Sequence, residues 1–89
     1  MNKSPLENLV ETLNNLREKS GQELDEIEEK YKTLSQKEDN RIRKITLSFS
    51  YDRDESKELG IDYNNVTERD TRLLRLALYL ESRKAPLAF

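Results

Sequence analysis

Through the first forty residues the apolar side chains are sparse and regularly spaced, and charge fills the gaps between them. Leu6, Leu9, Val10, Leu13 and Leu16 recur at helical spacing, and Leu24, Ile27, Tyr31 and Leu34 follow at intervals of three, four and three. A stripe this narrow cannot bury itself, so it must lie against another part of the chain or against another chain. The 89 residues allow a single small domain, whose limited core gains from association. Leu, Ile, Val and Phe supply 22 of the 89 residues, more than a disordered chain carries, so folding is expected despite 38% charged residues.

The first helix has a clear start. Ser4 can cap it, Pro5 suits its first position, and Glu7 completes an S-x-x-E capping box. At Ser20-Gly21 two readings compete, because Gly21 can end one helix while Ser20 and Glu23 can begin the next. A heptad frame runs through the site, with Val10, Leu24 and Tyr31 at a and Leu6, Leu13, Ile27 and Leu34 at d. Only Arg17 and Ser20 interrupt its seam. A glycine inside a helix costs roughly 1 kcal/mol, which packing can override. The sequence therefore predicts one amphipathic, coiled-coil-like segment over 5–40, bent near Gly21. Leu24, Ile27, Tyr31 and Leu34 are its candidate interface to a second copy.

Residues 41–89 are expected to hold a short strand, an acidic loop and a buried C-terminal helix. Ile45, Leu47, Phe49 and Tyr51 alternate with Thr46, Ser48 and Ser50, the two-residue repeat of a half-buried strand over 44–51. Gly60–Tyr63 can return as a second strand, or the strand can pair with its copy in a dimer. The last helix has Thr67 as cap, Asp70 at its third position, and Pro86 to stop it after Lys84. Its five leucines would forfeit on the order of 7–15 kcal/mol if exposed, so this helix belongs to the core. The expected fold class is thus mainly α with a minor β element.

Composition narrows the chemistry. The chain has no histidine, cysteine or tryptophan, which removes thiolate nucleophiles, imidazole bases and the usual zinc ligand sets. Its two glycines cannot build a phosphate loop. Asp52, Asp54 and Ser56 match the first ligands of a calcium loop, but Lys57 and Tyr63 stand where glycine and a bidentate glutamate are needed. The expectation is a non-enzyme with no cofactor and no metal. No apolar run reaches membrane-spanning length and no signal-peptide core precedes the first helix, so a cytoplasmic protein without a membrane partner is expected.

Net charge is −2, divided as −4 over residues 1–40 and +2 over 41–89. Neither value calls for nucleic acid. The basic cluster of Arg41, Arg43 and Lys44 nevertheless precedes a strand-like run whose outer residues would be Thr46, Ser48 and Ser50. Residues 43–84 in this respect resemble the ribbon-helix-helix family of DNA-binding proteins. That resemblance implies a dimer that lays a two-stranded ribbon in the major groove, with Arg41, Arg43, Lys44, Thr46, Ser48 and Ser50 at the nucleic acid. The chain departs from the family in the acid of Asp52–Leu59, which would oppose phosphate, and in the forty residues ahead of the strand. The sequence accordingly favours a non-catalytic interaction module, an adaptor, accessory subunit or inhibitor that binds another protein and forms a homo-oligomer, most simply a dimer. A small dimeric DNA-binding regulator is the alternative.

Overall fold

Five times along the chain a short polar side chain in extended backbone accepts a hydrogen bond from the backbone N–H three residues ahead, and each time a helix begins. Ser4 caps α1 (Pro5–Arg17), Ser20 caps α2 (Gly21–Tyr31), Ser35 caps α3 (Gln36–Tyr51), Asp52 caps α4 (Arg53–Glu58) and Thr67 caps α5 (Glu68–Lys84). Such a cap is worth about 1 kcal/mol, because it satisfies a donor that has no partner within the helix. At α5 the box is reciprocal, with the Asp70 carboxylate accepting from the Thr67 backbone N–H. The computed structural model describes residues 3–89.

Among the described residues there is no strand, which overturns the expected β element at 44–51 and the return at Gly60–Tyr63. The physical reason lies in Thr46 and Ser50. Both face the core of α3, and their hydroxyls donate to the carbonyls one turn back, Ile42 at 2.8 Å and Thr46 at 2.8 Å. With their polarity satisfied locally they pack like small apolar residues, beside Ile42 and Phe49. The alternation in the sequence therefore hides a helical face. The expected acidic loop is likewise the capped helix α4, closed by Gly60 in the left-handed region at φ 72°. Gly60 N–H donates to Lys57 O and Ile61 N–H to Ser56 O, the paired bonds of a Schellman ending.

The single bent helix expected over 5–40 is three helices. Extended backbone at Ser20 (ψ 161°) and at Ser35 (ψ 156°) separates them. The breaks let α1, α2 and α3 each turn an apolar face to α5, against which all three pack. One straight rod could not do that. α5 is central: Leu73, Leu74, Leu76, Ala77, Leu78 and Tyr79 are all buried, on nearly every side of the helix. It ends at Lys84, ahead of Pro86. The core joins them to Leu9, Leu13, Leu16, Leu24, Tyr31, Ile42, Phe49, Leu59 and Ile61. Among the described residues no helix is long and apolar enough to cross a membrane.

Candidate functional site

The side chains expected to meet a second copy are committed within the chain. Leu24 is 2% exposed and Tyr31 7%, and both belong to the core, while Ile27 and Leu34 are half-buried against it. The Tyr31 ring meets the ring of Tyr79 edge to face, 5.5 Å between centroids. Tyr79 of α5 thus covers part of this stripe from within the chain.

The six residues of the nucleic-acid reading do not share a face. Thr46 and Ser50 point inward, whereas Ser48, Arg41, Arg43 and Lys44 are exposed. Arg41 donates to Leu87 O at 2.7 Å and so holds the C-terminal segment against α3, where Phe89 packs edge to face on Phe49 at 5.0 Å. Arg43 is bound through Nε to both oxygens of Asp39, at 3.2 and 3.1 Å. Without strands there is no ribbon to enter a groove.

What α3 turns outward is different. At 3.6 residues per turn, Asn40, Arg43, Lys44, Leu47 and Tyr51 fall on the side opposite Ile42, Thr46 and Phe49. Leu47 is 54% exposed and Tyr51 75% exposed, one turn apart, in a chain whose other long apolar side chains are mostly buried. No acidic residue of α3 falls within this arc, and only the Asp39 carboxylate reaches its edge, at Arg43. The two acids of α3 lie elsewhere, Glu38 beside Arg41 in the groove below the C-terminal segment, and Asp39 turned toward Tyr31 and Arg43. In a chain with 18 acidic residues, a helix face that carries Arg43, Lys44 and two apolar side chains, with an acid only at its edge, is a distinct surface.

This face runs without a break into a cleft. Gln36 and Arg43, at its edge, also line a cavity of about 300 Å³ between α2, α3 and α5, together with Glu28, Tyr31, Lys32, Leu34, Asp39 and Arg75. Burial and the hydrogen bond to Asp39 push the Tyr31 phenol up to about 12, and the same hydrogen bond, aided by Arg43, holds the Asp39 carboxyl below its ordinary value. Arg72 binds Glu28 at 2.9 Å and Asp25 at 2.7 Å. Arg75 lies between these groups, half-buried, and among the described residues no hydrogen bond or ion pair engages it. Among the described residues no cluster of three or more metal-binding side chains occurs.

Leu47 and Tyr51 are surface residues that the sequence did not single out as a site. Once α3 is set as a helix from the Ser35–Glu38 capping signal, the i,i+4 spacing of Leu47 and Tyr51 marks them. Helical spacing places Arg75 with Arg72 on the polar side of α5, but its lack of a hydrogen-bonded partner depends on which neighbours α2 and α3 bring to it. The chain matches no family model, no curated protein and no solved structure.

Proposed function

We propose that this chain is a non-catalytic protein–protein interaction module, an adaptor, accessory subunit or inhibitor, that engages a cytoplasmic partner through the outward face of α3. The observation that supports the reading is the exposed pair Leu47 and Tyr51. Covering apolar surface returns roughly 25 cal/mol per Å², and tyrosine is among the side chains that most often anchor interfaces. Leu47 lies outside the core and leaves more than half of its apolar surface uncovered.

A second copy is a poor occupant of this face. A two-fold contact sets each patch against its equivalent, which would oppose Arg43 and Lys44 to their own counterparts. Leu24 and Tyr31 of the α2 stripe are spent within the chain's own core, with Ile27 and Leu34 half-buried against it. A different protein is the partner this surface favours.

A photo-crosslinking amino acid placed at position 47, in cells that make the protein naturally, tests the proposal. The expected result is a discrete heavier adduct that is absent when the same crosslinker replaces the exposed Asn8 of α1. No adduct at 47, or the same adduct from both positions, refutes it.

A further inference from the structure

The cleft at Arg75 and the apolar pair on α3 form one continuous surface, and we infer that it takes an acidic amphipathic segment of a partner protein, with a carboxylate seated at Arg75 and apolar side chains laid on Leu47 and Tyr51. This inference rests on the interaction reading above and specifies its partner.

Charge complementarity carries it. Every other ionic group around the cleft is already paired: Glu28 with Arg72, Asp39 with Arg43 and Tyr31, and Lys32 with Glu29 at 3.0 Å. Arg75 is the cation without a hydrogen-bonded partner among the described residues, its charge reaching Asp39 only from a distance. A half-buried guanidinium offers five donors in a planar fork suited to a carboxylate, and unused donors in a cleft draw an acceptor from outside. Arg43 bonds Asp39 through Nε, so its terminal nitrogens remain free to join in. The cleft lining holds three cations, Lys32, Arg43 and Arg75, against the two committed carboxylates.

Spacing supplies the second constraint. Along α3, Leu47 lies one turn beyond Arg43, about 6 Å, and Tyr51 two turns, about 12 Å. A helical segment laid along α3 would place a carboxylate at the cleft that Arg43 and Arg75 both line, and apolar residues about four and eight positions from it. Nucleic acid fits the surface less well, because phosphate gains nothing from Leu47, the apolar residue beside the cations.

Display of random 16-residue peptides against the full-length protein tests this. The expected consensus is an Asp or Glu with apolar residues about one and two helical turns away. Affinity for a selected peptide should fall about tenfold or more in both Arg75→Gln and Leu47→Asp, and Arg75→Gln alone should flatten its salt dependence. Circular dichroism of both variants should match the parent, since neither side chain belongs to the core. Enriched peptides that need Leu47 but carry no acid would overturn the inference and leave the interaction reading in place. No enrichment, together with salt-dependent binding of a random DNA duplex, would overturn both.

Discussion

The Tyr31 hydroxyl donates a hydrogen bond to the Asp39 carboxylate, joining the last residue of α2 to the first turns of α3. The turn between these helices is short, and this bond bridges it. It also sets the position of the cleft, because Asp39 holds Arg43 on one side while the Tyr31 ring packs on Tyr79 of α5 on the other.

Stability should fall at alkaline pH through Tyr31. Its phenol is pushed up to about 12 in the folded chain, against about 10 when unfolded, chiefly by burial and then by Asp39. A raised folded value stabilises fully below pH 10, and that contribution is lost as pH rises through 12. Urea unfolding between pH 9 and 12 should show the loss in the parent and not in Tyr31→Phe. An equal alkaline drop in both would contradict the assignment. In Asp39→Asn the late fraction of the tyrosinate absorbance should titrate earlier.

The two glycines should respond in opposite directions. Gly60 sits at φ 72° with the Arg17 guanidinium 3.4 Å from the place a Cβ would occupy, so Gly60→Ala should cost about 1–2 kcal/mol. Gly21 begins α2 with open space around it, so Gly21→Ala should gain about 0.4–1 kcal/mol. Thermal unfolding of the two variants checks both signs.

Core truncation on α2 should behave as it does in a monomer's interior. Leu24→Ala is expected to cost about 2–5 kcal/mol in urea unfolding. Ile27→Asp with Leu34→Asp should lower stability while the sedimenting mass stays that of the parent. A change of mass would restore α2 as an intermolecular seam.

Two buried hydroxyls should separate by what their bonds satisfy. Ser56 is fully buried and donates at 2.6 Å to Phe49 O, a carbonyl in the last turn of α3 that has no helical donor beyond it. Ser56→Ala should therefore cost about 1–3 kcal/mol. Thr46 donates to Ile42 O, inside the helix, and Thr46→Val should cost under about 1 kcal/mol. Equilibrium denaturation of both variants distinguishes the cases.

The ends of the chain were the most legible. Ser4-Pro5 with Glu7, and Thr67 with Asp70 and Pro86, are signals carried by nearby residues; α1 begins at the first, and α5 begins and stops at the second. The middle was misleading for a stated reason. Residues 45–51 fit a repeat of two and also a repeat of 3.6, and the choice turns on whether Thr46 and Ser50 count as polar. Their bonds to carbonyls one turn back decide it, and those bonds exist only once the helix does. The Ser35–Glu38 cap was the local signal against a strand. The pair Leu47 and Tyr51 becomes legible only once α3 is read as a helix, and the isolation of Arg75 is a property of the packed molecule.

The placement of α5 has a bearing on synthesis. Four helices emerge from the ribosome before the one on which α1, α2 and α3 all rest. Until that final helix arrives, Leu9, Leu13, Leu24 and Ile42 have no common surface to cover them, so the nascent chain stays open and reliant on its caps. Folding then comes late and all at once, and a polypeptide stalled before residue 68 should be digested readily by protease while the released product resists.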